Sequence, residues 1–273
     1  MKGSGTSFGA ISVMNAIPCG IGSTIGISLR TDVTIEDSDS QEVILVDRPK
    51  VRPALAETCV RRTRETIGQN TDDGYRLEIR TEIPPSMGLK SSSSVSNAVI
   101  SAVLDAYGEK MDQLDIIRLG VECAKECKVT ITGAFDDACG CGLGGLVVTD
   151  NTKNELILRE EIPEYDVVIC VPDSTIPKSK VPVELYRKLS NIYEEMVPRI
   201  ENDYLDVLTE NGKHVEEIIG CFNGLSMRAL KEGALAAGIT GTGPATAIIA
   251  KKGDGKRISD ALGCRTIITG TRC

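Results

Sequence analysis

The sequence predicts a mixed chain of helices and strands, of the α/β or α+β class, on three observations. Residues 75–83 place apolar side chains on alternate positions, the period of a strand with one buried face. Residues 95–106 repeat apolar side chains at i, i+3, i+4 and i+7, the period of a helix. Between such segments the 27 glycines and 11 prolines punctuate the chain often enough to close many short elements. At 273 residues, 41% hydrophobic and 26% charged, it is long enough for one large or two closely packed domains.

Each element has its own justification. Tyr75, Leu77, Ile79, Thr81 and Ile83 share one face of the first clear strand, and Pro84 and Pro85 end it because neither can donate to a ladder. After a loop over 86–90, Val95, Ala98, Val99, Ala102, Val103 and Ala106 set a helix that stops near Gly108, with Ser91 or a neighbour as its cap. Asp112 caps a second helix with Leu114, Ile117, Val121 and Ala124 inward, and a short strand over 129–132 should lead into a tight turn at Asp136 and Asp137. A glycine-rich turn and a strand over 146–149 follow. Beyond Asn151 the texture changes: a buried strand over 167–171, a polar loop over 172–182, a proline-started helix from 182 to about 200, and further helices to about 237. A strand over 245–250, a helix over 256–262 and a strand over 266–269 close the chain. A division near residue 155, into residues 1–155 and 156–273, fits this change, and no internal repeat is evident.

Charge and cysteine usage narrow the function classes. The net charge of −8 and a pI of about 5.0, with basic residues scattered, leave no footprint for a nucleic-acid backbone. No apolar run reaches the ~20 residues of a membrane span, and glycine and serine interrupt the first 20 residues where a signal peptide needs a continuous apolar stretch. A cytoplasmic protein, monomeric or homodimeric, is expected. The ten cysteines are then expected to be free thiols. Cys123, Cys127, Cys139 and Cys141 lack the paired spacing of a zinc ribbon and are expected to act as small buried hydrophobes.

The segment 85–95 carries the strongest chemical signal. Strand, small-residue loop and helix start follow in that order, so backbone N–H groups and the positive end of a helix dipole converge on one anion site. A serine-rich cap alone needs one serine, and Ser91, Ser92, Ser93 and Ser94 are poor helix formers. No G-x-x-x-x-G-K-[ST] loop occurs. A second signal is the carboxylate pair Asp136 and Asp137, which can orient an attacking hydroxyl or can merely satisfy turn backbone. A third is the glycine-rich stretch 237–245, weak alone because such a stretch is often only a turn.

The stretch Pro85-Ser86-Met87-Gly88-Leu89-Lys90-Ser91-Ser92-Ser93-Ser94-Val95 resembles the phosphate loop P-x-x-x-G-L-x-S-S-[SA] of the GHMP kinases. Lys90, where the superfamily usually has Gly or Ser, is similar to the archaeal shikimate kinase branch. Thr132 to Ala138 resembles that branch's T-G-A-F-D-D-A turn, Gly241-Thr242-Gly243 with its flanks resembles the third GHMP motif, and residues 9–27 are similar to the branch's opening motif.

The resemblance implies a fold of the α+β class: an N-terminal ATP-binding domain (1–155) like domain 2 of ribosomal protein S5, and a ferredoxin-like C-terminal domain (156–273), with the site between them. It implies ATP held by residues 85–95 and by Gly241, Thr242 and Gly243, with Mg²⁺ on Ser92 and on Glu126 (or Glu122, one turn earlier). The acceptor hydroxyl, that of shikimate, would meet Asp136, with Asp137 as the alternative. Homoserine, pantoate or a mevalonate-pathway alcohol remain alternative acceptors, and a silent nucleotide-binding regulator is the alternative from another class. Thr6, Asn15, Lys178, Lys180 and Arg228 are candidates for the acceptor carboxylate. His214, the sole histidine, lies far from every motif and is not expected to act as a base.

Overall fold

A computed structural model describes residues 1–46, 53–130, 132–176 and 180–273. Strands β1 (Lys2–Met14), β2 (Ile21–Asp37), β3 (Gln41–Leu45), β4 (Tyr75–Thr81), β5 (Leu146–Asp150) and β6 (Glu155–Glu160) form the first sheet. Its order is β3-β4-β2-β5-β6, with β1 along the other edge of β2. β3 and β4 run parallel, and the remaining pairs are antiparallel. β2 organises this sheet, pairing with β4 through 31–37 and with β5 through 21–25. The expected division near residue 155 falls at the first residue of β6.

Helices α1 (Ala54–Thr66), α2 (Ser91–Tyr107), α3 (Gln113–Glu126) and α4 (Phe135–Leu143) accompany that sheet. Val33, Ile35, Leu77 and Ile79 of the sheet pack with Val60, Val99, Val103 and Leu119 of the helices in one buried cluster. The expected alternation along β4 holds, since Tyr75, Leu77 and Ile79 are buried while Arg76 and Arg80 are exposed. Asp112 caps α3 as expected, accepting from the Leu114 N–H at 2.9 Å.

The second sheet holds β7 (Tyr165–Cys170), β8 (Ala236–Ile239), β9 (Thr246–Lys251) and β10 (Thr266–Gly270), all antiparallel, in the order β10-β7-β9-β8. Helices α5 (Val183–Arg187), α6 (Ser190–Met196), α7 (Ile200–Ile219), α8 (Leu225–Lys231) and α9 (Gly255–Leu262) accompany it. With α7 and α9 as crossovers, the β-α-β-β-α-β order is that of a ferredoxin-like unit. The two halves share a core: Ile11, Val13 and Ile25 pack in one cluster with Val167, Ile169, Val207 and Ala247. Among the described residues no helix is long and apolar enough to cross a membrane.

The structure corrects five local expectations. Asp136 and Asp137 lie in the first turn of α4, a helix rather than a tight turn, although its sequence FDDACGCGL is poor in helix formers. Ser91 does not cap α2: Lys90 holds the cap position in a left-handed conformation (φ 66°) without a side-chain cap bond. Val129, Thr130 and Thr132 are not in a strand, and Ile131 of that expected strand lies outside the described residues. The helix expected from 182 to 200 breaks into α5, α6 and a 3-10 turn at Val197–Arg199, where Pro198 cannot donate an N–H. The alanines at 236 and 237 belong to β8, not to a helix.

Candidate active site

The loop between β4 and α2 is shaped by its backbone. Ser86, Gly88 and Lys90 have φ of 57°, 76° and 66°, so left-handed residues alternate with ordinary ones. Met87 and Leu89, the residues between, turn into the shared core and anchor the loop. Gly88 has a second reason to lack a side chain: a Cβ there would lie 2.0 Å from the Thr240 carbonyl oxygen. The loop and the first turn of α2 line a cavity of about 380 Å³, within the usual range for a small-ligand site. The amides of Ser92 and Ser93, at the start of a 17-residue helix, have no acceptor within it, which favours an anion in front of them.

Two carboxylates enter this cavity from α4. Asp136 is 4% exposed. Asn151, just beyond β5, donates from Nδ2 to Asp136 Oδ1 at 2.7 Å, while its Oδ1 accepts the Asp136 N–H at 3.0 Å and the Thr149 hydroxyl at 2.8 Å. The Asp136 carboxylate fits only because residue 22 of β2 is glycine: a Cβ there would lie 2.4 Å from Asp136 Oδ2. Burial, then the neighbouring Asp137, raises the Asp136 carboxyl to about 6, against the opposing pull of Lys90 and Asn151.

Asp137 is held differently. Its Oδ1 lies 2.7 Å from Nζ of Lys90, whose side chain is 5% exposed, and Lys90 also donates to Ser12 Oγ at 2.7 Å. Burial pulls the Lys90 ammonium down, but Asp137 and Asp136 outweigh it, so it stays above its usual range and charged. The same Ser12 oxygen accepts the Gly241 N–H at 3.1 Å, and the Ser12 N–H donates to Thr240 Oγ1 at 2.9 Å. Asn15 Nδ2 donates to the Gly241 carbonyl at 3.0 Å. One lysine thus connects the loop, α4 and β1, and Ser12 carries the connection to the glycine turn between β8 and β9.

The structure therefore brings Ser86, Gly88, Leu89, Lys90, Ser91, Ser92 and Ser93 together with Asp136, Asp137, Gly241, Thr242 and Gly243. It does not bring in Pro85, which is exposed outside the cavity, or Met87, which is in the core. Ser94 donates to Thr31 Oγ1 at 2.9 Å on β2, and Val95 packs against the sheet–helix core. Glu126 is a correction: its carboxylate pairs with Arg61 of α1, outside the cavity, because α3 turns that face toward α1. Glu122 likewise pairs with Arg62 at 2.9 Å.

Of the carboxylate-binding candidates, Asn15 lines the cavity. Thr6 donates to Asp32 at 2.8 Å, Arg228 donates to the Leu262 carbonyl at 2.5 Å, and Lys180 is exposed outside the cavity. Lys178 lies outside the described residues. His214 is away from the cavity, 3.9 Å from Glu217. Cys123, Cys127, Cys139 and Cys141 have separate surroundings: Cys123 shares a hydrogen bond with Cys59, Cys127 donates to Thr58 Oγ1 at 3.2 Å, and burial pushes the Cys139 and Cys141 thiols well up. Sequence reasoning missed Ser12, Asn151 and Gly22 as parts of the site. Asn151 left only the faint signal of a polar residue at a strand end.

Residues 54–145 match the family model of the GHMP kinase N-terminal domain. The chain is 40% identical to a shikimate kinase of Methanothrix thermoacetophila, over 98% of this chain and 93% of that one. It is 36% identical to a shikimate kinase of Pyrococcus abyssi, covering 92% of each. Among solved structures, L. major mevalonate kinase in complex with R-mevalonate superposes with a TM-score of 0.79 at 15% identity, over 99% of this chain and 96% of that one. Homoserine kinase from Cytophaga hutchinsonii gives 0.76 at 18% identity, over 100% and 95%. These structures share its fold.

Proposed function

The chain belongs to the archaeal shikimate kinases of the GHMP superfamily, and from that membership we propose that it transfers the terminal phosphoryl group of ATP to the 3-hydroxyl of shikimate. The observation that supports this most is the placement of Asp136: a buried carboxylate with its carboxyl raised to about 6, in the cavity that the anion-binding loop lines. A silent nucleotide-binding protein has no use for such a group.

The residues divide the work. The loop amides and the start of α2 hold the phosphates, a positioning role that dominates in phosphoryl transfer. Asp136, ionised at neutral pH, accepts the proton of the acceptor hydroxyl as its oxygen forms the new bond to phosphorus and the bond to ADP breaks. Asp137, paired with Lys90, fixes the ammonium between the loop and Ser12.

Mg²⁺ fits this cavity as an ion carried in on the phosphates, since the donors beside the loop are hard oxygens and such an ion needs few protein ligands. Ser92 would hold it, and Glu126, paired with Arg61, would not. When bound, it would neutralise charge on the transferring group. We place the reaction in the cytoplasm, with residues 1–155 carrying most of the nucleotide contacts.

The test is ADP release from purified protein with shikimate, homoserine, pantoate and mevalonate as acceptors. Shikimate should be turned over at least about a hundredfold faster than the others, as a site that hydrogen-bonds one acceptor rejects those lacking its groups. A preferred acceptor other than shikimate overturns the reading.

A further inference from the structure

The cavity holds two lysines in different states. Lys90 is buried, and its ammonium is engaged by Asp137 and Ser12. Lys128, just past the end of α3, lines the same cavity and is exposed, and among the described residues no carboxylate lies within ion-pair distance of it. Asp136 is the remaining charged group there that no ion pair neutralises.

The backbone singles out the same residue. Lys128 has φ of 55°, a left-handed conformation that a helix end ordinarily gives to glycine or asparagine. The Lys128 N–H donates to the Lys125 carbonyl at 3.0 Å and the Val129 N–H to the Ala124 carbonyl at 3.0 Å, closing α3. This turn carries the chain into Val129, Thr130 and Thr132, which also line the cavity. A strained position held by a long cationic side chain at a ligand cavity fits a binding role better than a packing one. Both reactants of the proposed reaction are anions, and an oxyanion removed from water needs a charge partner.

We propose that Lys128 is the oxyanion-binding cation of this cavity, taking either a phosphate oxygen of the nucleotide or the carboxylate of the acceptor. The assignment rests on the kinase reading above only for the second source. Glu126, two residues earlier on α3, is paired with Arg61 and does not line the cavity, whereas Lys128 does.

The experiment uses Lys128→Met, Lys128→Gln and Lys128→Arg in the full chain. ADP affinity is measured without acceptor, and the KM for shikimate is measured at saturating Mg·ATP. A charge-assisted hydrogen bond lost from a partly exposed site should weaken one of the two by about tenfold, with most of the loss recovered in the arginine variant. Weaker ADP binding identifies the phosphate source, and a raised KM for shikimate with unchanged ADP affinity identifies the carboxylate. Both values within about twofold of wild type, in variants that melt at the wild-type temperature, overturn the assignment. If the wild-type protein binds ADP but does not turn over shikimate, the kinase reading fails, and the ADP arm alone decides for or against Lys128.

Discussion

Nζ of Lys90 lies 2.7 Å from Oδ1 of Asp137, and this ion pair separates the roles of two adjacent carboxylates. Asp137 has a permanent counter-charge, whereas Asp136, one residue earlier and more deeply buried, has a neutral asparagine at Oδ1. Lys90→Met should remove both the pair and a cation that lowers the Asp136 carboxyl. Breaking a buried pair costs roughly 3–5 kcal/mol, and solvent access to Asp137 puts this case at the low end. The acid limb of the kcat/KM profile should move to higher pH, because losing a nearby cation favours the protonated acid. A melting curve and a pH–rate profile check this, and an unmoved acid limb counts against the role given to Lys90.

Asp136→Asn should lower kcat at least about a hundredfold with KM values changed only a fewfold. Stability should move the other way. The folded carboxyl is raised from 3.8 to about 6, so the native state binds the extra proton in that window and stability falls as pH rises through it, by up to about 3 kcal/mol. Asparagine removes that penalty, so the variant should melt at or above the wild-type temperature at pH 7. In the wild-type enzyme the acid limb should centre near pH 6. Asp137→Asn should be milder in chemistry, and costly to stability because it strands Lys90.

Gly22→Ala should act on chemistry through the position of the Asp136 carboxylate. The added methyl would lie 2.4 Å from Asp136 Oδ2, so the carboxylate must shift. A kcat reduced at least tenfold with an unchanged KM for ATP is expected, since small misplacements of a reacting group are costly. Steady-state kinetics at saturating acceptor read this directly.

Ser92→Ala and Glu126→Gln separate the two metal assignments. Ser92→Ala should lower kcat by about tenfold or more and raise the Mg²⁺ concentration needed for half-maximal rate. Glu126→Gln should leave both unchanged and cost at most about 1 kcal/mol, the usual worth of an exposed ion pair such as that with Arg61. A Mg²⁺ dependence altered by Glu126→Gln would return that residue to the site.

Much of the fold was legible where the signal is local. β4 shows its alternation, α3 its aspartate cap, and β9, α9 and β10 fall within a residue or so of the ranges expected for them. α4 was illegible because its small residues form a helix only when Phe135 and Cys139 are buried against Ile117 and Val121. β8 was illegible because Ala236 and Ala237 favour a helix in isolation and a strand only when paired with β9.

The sequence by itself determined the chemistry available: an anion loop before a helix, a carboxylate pair, a glycine turn and a resemblance to one kinase branch. Those are properties of neighbours along the chain, and short-range backbone preferences are enough to express them. The tertiary structure alone decided which group does what. Lys90 meets Ser12 from 78 residues away, Ser12 meets Thr240 from 228 away, and the rotation of α3 turns Glu126 to Arg61. Burial and charge around a carboxylate are sums over such distant neighbours, so the difference between Asp136 and Asp137 exists only once the chain is folded.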